Sequence, residues 1–383
     1  MEILFVDQFS VLGGAQQCLL EVLDVMRKRA WRAHVALPGD GPLVERVRSG
    51  AVAVDKIPCG QYQSGSKSPA DFLQLPLDIW RQKRILADLL NTRRFDLIYV
   101  NGPRVLPAAA LAARDHVPIL FHAHNRLNSG SAARLVGWSI GHSEATVVAC
   151  SNYVAQPLAG YAQNGRLYVV PNGTLDAGFR ERAFGLGRSW RIGLIGRISP
   201  EKGQEVFLRA VALLAPEFPA ARFVICGAPI IPAGKYLDLV SELARGLPVE
   251  FLGWRDDIAA VLAELDLLVV PSRDEGLGRV VLEGFSAGVP VVAFATGGLP
   301  EVVTESETGF LVAQATPEAL AARIREIVLS DAGNIRRIVA NARRVWERSY
   351  TVAAYQSRIM ELAEELVSAW RAEHEKVTPP VRT

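Results

Sequence analysis

The chain has 383 residues, 50% of them hydrophobic and 21% charged, with a formal net charge of +2. That length exceeds one ordinary hydrophobic core, so two domains are expected, and the near-neutral balance argues against a nucleic-acid partner. No apolar stretch reaches the length of a membrane span. The four cysteines, Cys18, Cys59, Cys150 and Cys226, are widely spaced, with no CxxC pair and no histidine cluster for zinc. They read as reduced thiols of an intracellular protein.

The N-terminus, MEILFVDQFS, is acidic and has too short an apolar run for a secretory signal. ILFV from Ile3 is the first strand expected. After it, GGAQQ opens an amphipathic helix over Ala15 to Arg29, with Ala15, Leu19, Leu23 and Met26 on one face. AHVAL from Ala33 is the next strand. The polar stretch CGQYQSGSKSP from Cys59 suits a loop that contributes to acceptor choice. Basic residues Arg81, Lys83, Arg84, Arg93 and Arg94 then interleave with Phe72, Leu73, Leu75, Leu77, Ile79, Trp80, Ile85 and Leu86. Such a run is either a solvated face or a surface that docks on an anionic bilayer. Strands follow at LIYV from Leu97, PILFH from Pro118, TVVAC from Thr146 and LYVV from Leu167.

Glycines accumulate in PNGTLDAGFRERAFGLGRSW from Pro171, the expected join. Beyond it come RIGLIG from Arg191, RFVICG from Arg222, VEFLG from Val249, LLVV from Leu267, PVVAF from Pro290 and GFLV from Gly309. Unalternating β-rich runs separated by helical patterns indicate parallel sheets buried on both faces. The fold class expected is therefore α/β, with two Rossmann-like doubly wound domains facing a central cleft. Their expected bounds are 1–178 and 188–350. The last helical pattern, from residue 351, is expected to cross back onto the first domain and end in a disordered VTPPVRT.

Three stretches carry chemistry. In RDEGLGRVVLEGFSAGVP, Glu275 falls on the loop after a strand, Gly276 to Gly278 at a helix entrance, and Glu283 one turn into the helix, which ends at Gly288. Helix-entrance amides attract phosphate or sugar oxygens, and carboxylates accept from vicinal hydroxyls. In GRISPEKG, Arg197 and Lys202 flank a strand-tip loop and suit a diphosphate clamp. Gly13 and Gly14 allow a phosphate or sugar close to the backbone, or simply ease helix packing. The chain lacks GxGxxG after its first strand, GxxxxGK[ST] and DxD, so no acidic pair is available for a divalent ion.

GRISPEKG, RFVICGAP, VEFLGWRDDI, LLVVPSRDEGLGRVVLEGFSAGVPVVAFATGGLPEVV and ETGFLV together resemble the C-terminal half of a retaining glycosyltransferase of family 4, of GT-B architecture. Glu275 and Glu283 form its E-x7-E pattern. GGAQQ, HAHN, ACSNYV and VVPNG carry a looser resemblance in the first half. The resemblance implies that Arg197 and Lys202 bind the donor diphosphate and that Glu283 takes the ribose hydroxyls. Glu275, with the amides of Gly276, Leu277 and Gly278, would hold the sugar hydroxyls. Gly227, Ala228, Gly253 and Trp254 would border the base, and Gly14 would face the phosphates. His124, with His122 as the alternative, would lie near the sugar, and Asn172 at the domain edge. The donor expected is a UDP- or GDP-linked sugar, without metal or other cofactor. The acceptor expected is a glycan, lipid-linked or small-molecule hydroxyl, in a cytoplasmic enzyme that is either free of the membrane or peripheral on its inner face. A sugar-nucleotide epimerase, a phosphorylase or a non-catalytic nucleotide-sugar binder would use the same donor constellation. Asn172-Gly173 also reads as a plain turn, Trp254 as a core residue, and either histidine as a satisfied structural one.

Overall fold

The computed structural model describes residues 1–59, 69–113, 117–128, 130–163, 165–185, 188–229 and 234–374, with backbone alone for 69–73. The stretches 60–68 and 377–383, expected as an acceptor-side loop and a disordered tail, lie outside the described residues. The chain divides into two compact units. One comprises Met1–Pro171 and the segment from Tyr355, the other Asn172–Ala354.

The first unit runs β1 (Glu2–Asp7), α1 (Gly14–Lys28), β2 (Arg32–Leu37), α2 (Pro42–Ser49), β3 (Ala53–Lys56), α3 (Pro69–Thr92) and β4 (Leu97–Asn101). It continues with α4 (Leu106–Ala113), β5 (Ile119–Ala123), α5 (Gly130–Ser143), β6 (Thr146–Ala149), α6 (Asn152–Ala155) and β7 (Leu167–Val169). Its seven strands form one sheet in the order β3-β2-β1-β4-β5-β6-β7, with every pairing parallel. The apolar runs of β1, β4, β5 and β6 are buried throughout, as strands covered on both faces must be. The edge strand β3, AVDK, was not visible as an apolar run because its ends are exposed and its centre only half-buried. The sequence LPAAALAA of α4 is apolar all round, and it packs between α3 and α5.

The order of strands reverses between β1 and β4, the topological switch point where open α/β sheets bind ligands. The register there pairs Asp7 with Asn101, and Asn101 with His122. Three polar residues thus stand side by side at the carboxyl ends of adjacent strands.

The second unit runs β8 (Arg191–Ile195), α7 (Gln204–Leu214), β9 (Arg222–Cys226), α8 (Lys235–Leu243), β10 (Val249–Gly253), α9 (Ile258–Glu264) and β11 (Leu267–Val270). It continues with α10 (Arg279–Ala287), β12 (Val291–Phe294), α11 (Leu299–Val302), β13 (Phe310–Val312), α12 (Pro317–Leu329) and α13 (Ala332–Ser349). Its parallel sheet is ordered β10-β9-β8-β11-β12-β13, with the reversal between β8 and β11. Phe207, Phe223, Leu267, Val292 and Phe294 fill its core.

The last helix, α14 (Val352–His374), adds Tyr355, Ile359, Met360, Leu362, Ala363 and Val367 to the core of the first unit. Gln356 is buried on the same face and its Nε2 donates to the Glu21 carbonyl at 2.7 Å. The chain therefore closes the first core with its C-terminal helix. Ile359→Ala empties a fully buried site and is expected to destabilise the first unit by about 2–5 kcal/mol in urea unfolding. Glu361→Ala on the exposed face of α14 is expected to stay within about 0.5 kcal/mol of the parent.

Candidate active site

In the second unit the loops that follow β8, β9 and β10 are joined through their backbones. Gly196 N donates to Cys226 O at 2.9 Å, Ile198 N to Ala228 O at 3.1 Å, and Gly227 N to Gly253 O at 2.8 Å. Gly227 has φ of +148°, and a Cβ there would lie 2.0 Å from the Gly196 carbonyl oxygen. Only glycine permits this approach. Gly227, Ala228 and Gly253 thus form one layer of strand tips, while the Trp254 side chain is half-exposed beside them.

Arg197 precedes, and Lys202 closes, a short 3-10 turn, Pro200–Lys202, ended by Gly203 at φ +72°. A Cβ on Gly203 would meet the Pro271 carbonyl oxygen at 2.2 Å, so the loop after β8 lies directly on the loop after β11. Gln204, fully buried, pins the turn. Its Nε2 donates to Arg197 O at 2.8 Å, and its Oε1 accepts from Ser199 N at 3.3 Å and Tyr236 Oη at 3.2 Å. The Lys202 stem runs past Gly196, where a Cβ would make ordinary contact with it at 3.6–3.9 Å. Lys202 Nζ ends 2.5 Å from Glu275 Oε2, with side chains only 24% and 15% exposed. A second ion pair, Arg273 to Glu205 at 2.5 Å, ties the loop after β11 to α7.

The loop carrying Glu275 is equally close-packed. Gly298 N donates to Glu275 O at 2.8 Å, and a Cβ on Gly297 would sit 2.4 Å from that same oxygen. Thr296 Oγ1 donates to Ser272 O at 2.6 Å. Gly276, Leu277 and Gly278 are buried, and Gly278 enters α10 at φ +90°. Glu283, half-buried, follows one turn into α10. The second unit therefore gathers a cation, an acidic group and a helix entrance at its strand tips.

The first unit builds a different constellation at its own switch point. Asp7 is fully buried and receives Asn101 Nδ2 at 2.5 Å, Phe9 N at 2.8 Å and Gln16 Nε2 at 3.1 Å. Burial pushes its carboxyl up to about 6, against the pull of those donors. His124 Nε2 lies 2.7 Å from Asn101 Oδ1. His122 is fully buried, with Nδ1 2.5 Å from the Tyr99 hydroxyl, and its ring lies 3.9 Å from that of His124, centroid to centroid, tilted by 38°. Burial, then the neighbouring His124, depresses His122 well below the ordinary histidine range, so it stays neutral. Of the two histidines only His124 is partly exposed.

Gly13 caps α1 in extended backbone that any residue adopts, and a Cβ there would touch Gln16 Oε1 at 3.0 Å. Gly14 is exposed at the start of α1. Asn172 is buried, with no hydrogen-bond partner for Oδ1 among the described residues. The next residues form a packed crossing, where Thr174 N donates to Tyr350 O at 2.9 Å and Arg279 Nη1 to Gly173 O at 2.7 Å. Sequence reading missed Asp7, Gln16, Asn101, Gln204 and the Arg273–Glu205 pair. The one signal for Asp7 and Asn101 in the sequence is that each is the first polar residue after a buried apolar run.

Two doubly wound parallel-sheet units with loops gathered at the strand tips define the GT-B class of fold. Comparison with known proteins narrows the class. The family model for Glycosyltransferase Family 4 matches residues 12–174, and that for Glycosyl transferases group 1 matches residues 189–331. A D-inositol 3-phosphate glycosyltransferase of Corynebacterium glutamicum is 36% identical over 152 residues, 38% of this chain and 36% of that protein. Its counterpart in Salinispora arenicola is 36% identical over 226 residues, 50% of this chain and 49% of that protein. The chain thus spans half or less of the length of the curated relatives it matches. Anabaena Alr3699/HepE, solved with UDP and glucose, superposes with a TM-score of 0.78 at 26% identity, over 96% of this chain and 100% of that one. The chain belongs to the family 4 glycosyltransferases.

The glycine contacts give a direct check on the strand-tip packing. Gly203→Ala places a side chain in left-handed backbone against a carbonyl and is expected to cost at least about 1–2 kcal/mol in thermal unfolding. Gly141→Ala in α5, where a Cβ meets nothing within 4 Å, is expected to be neutral or to stabilise by about 0.5–1 kcal/mol.

Proposed function

We propose that the chain is a retaining hexosyltransferase that moves a sugar from a nucleotide-diphosphate sugar to an acceptor hydroxyl. The observation that carries this reading is the Lys202–Glu275 pair, a cation and a carboxylate held together over the strand tips of the second unit. A diphosphate has the charge to take the lysine, and sugar hydroxyls have the donors to take the glutamate. Arg197 joins Lys202 on the diphosphate, Glu283 accepts from the ribose, and the amides of Gly276, Leu277 and Gly278 meet sugar oxygens. Gly227, Ala228, Gly253 and Trp254 border the base. The UDP and glucose bound by Anabaena Alr3699/HepE favour a UDP-linked hexose as donor.

In the reaction the bond from the anomeric carbon to the diphosphate breaks on the face where the acceptor oxygen bonds. The acceptor proton passes to the departing phosphate oxygen. Negative charge grows on the diphosphate, and Arg197 and Lys202 meet it in place of a divalent ion. By the family resemblance, His124 is assigned to the transferred sugar and Gly14 to phosphate oxygens. The acceptor is a carbohydrate or lipid-linked hydroxyl at the cytoplasmic face of a membrane. Exposed Leu77 and Trp80 beside exposed Arg81 and Arg84 on α3 support contact with an anionic bilayer. No helix among the described residues is long and apolar enough to cross one.

A thermal-shift panel of nucleoside diphosphates and their sugars tests the donor assignment. At about a hundredfold its dissociation constant, the true donor is expected to stabilise by about 2.7 kcal/mol. Lys202→Ala is expected to remove most of that gain and to lower kcat by about 10²–10³-fold. Donor conversion without acceptor would point instead to an epimerase, a strict need for free phosphate to a phosphorylase, and binding without turnover to a non-catalytic binder. Co-sedimentation with anionic but not neutral vesicles, lost in Trp80→Ala, is expected for the bilayer contact.

A further inference from the structure

The buried polar group at the switch point of the first unit fixes an orientation that no single residue in it would fix. Both Asn101 amide hydrogens are spent: Nδ2 donates to Asp7 Oδ2 at 2.5 Å and to Ala15 O at 3.2 Å. The amide oxygen must then face the other way, toward His124 Nε2 at 2.7 Å. An amide oxygen only accepts, so His124 Nε2 must carry a proton. In the neutral ring, Nδ1 is then the unprotonated nitrogen.

We infer that Asp7 and Asn101 are positioning residues whose hydrogen-bond chain sets the protonated nitrogen and the ring plane of His124. This rests on the reading of His124 as the group that addresses the transferred sugar. A simpler role for Asp7 is the turn at Phe9, whose N–H it accepts at 2.8 Å. An asparagine oxygen would serve that turn without a carboxyl buried at full desolvation cost. What the carboxylate adds is an acceptor on both oxygens. Facing it are Asn101 from β4, Gln16 from α1 and the backbone N–H of Phe9, donors all. Gln16 holds Asp7 from the helix side, and Gly13 leaves Gln16 its place. The register of β1 on β4, Asp7 opposite Asn101, delivers the chain to the end of β5, where His124 begins the loop.

The test is long-range 1H–15N correlation on the full chain with 15N-labelled histidine, with the His124 signals assigned by their loss in His124→Gln. The expected wild-type pattern is a protonated Nε2 and an unprotonated Nδ1. Asn101→Ala is expected to admit the opposite protonation pattern and to lower kcat about 10–100-fold while donor KM changes little. Asp7→Asn keeps the turn at Phe9 and weakens the grip on Asn101. It is expected to shift the same signals part of the way and to lower kcat less. A wild-type ring protonated on Nδ1 alone, or one whose pattern is unmoved in both variants, would overturn the inference. A wild type that binds and turns over no nucleotide sugar would overturn the functional reading instead, and would leave the ring spectra interpretable by themselves.

Discussion

An ammonium and a carboxylate held 2.5 Å apart, each more than three-quarters withdrawn from water, set the terms for the second unit. Such a pair is not a cheap source of stability, because taking both charges from water offsets much of their attraction. It does hold two reactive groups in place before any ligand arrives. Lys202 and Glu275 come from loops after different strands, β8 and β11, so their meeting depends on how those loops pack. The packing is backbone on backbone, through Gly203 against Pro271 and Gly297 against Glu275 itself. The glycines are thus the means by which two distant stretches of sequence place one cation on one anion.

The first unit solves a related problem with hydrogen bonds in place of an ion pair. Its switch point is lined by a buried carboxylate, an amide and a histidine on adjacent strands, with His124 just past the end of β5. A desolvated carboxylate surrounded by amide donors tolerates few alternative arrangements, because every reorientation leaves a buried polar atom without a partner. Rigidity there follows from the cost of the alternatives. α14 reinforces it from behind, since Tyr355 and Ile359 complete the core on which β1 and β4 rest.

Much of this was legible in the sequence wherever burial is complete. The central strands show as unalternating apolar runs because both faces are covered, and α10 begins at Arg279 and ends before Gly288 because its entrance and exit both need glycine. The strand-tip residues Arg197, Lys202 and Glu275 stood out because charge is conspicuous after an apolar run, and Glu283 because it lies eight positions after Glu275, one turn into α10. Asp7 and Asn101 did not, because their partnership exists only once β1 lies beside β4, 94 positions apart in the chain. Gln204 was missed for a similar reason: its work is to hold the Arg197 carbonyl and the Ser199 amide, which no spacing announces. His122 and His124 could not be separated by pattern, since alternate positions at a strand end share a side. Burial separates them, leaving His122 neutral against Tyr99 and His124 at the surface of the site. The edge strand β3 escaped because half-buried residues carry no unbroken apolar signal.

The ion pair over the strand tips is the point at which the account is most exposed. A crystal structure of the chain with a UDP-linked hexose tests it most directly. The account predicts Lys202 Nζ released from Glu275 and seated about 2.7–2.9 Å from a diphosphate oxygen, with Glu275 turned to the sugar hydroxyls. An intact Lys202–Glu275 pair, with the nucleotide bound elsewhere on the second unit, would contradict it.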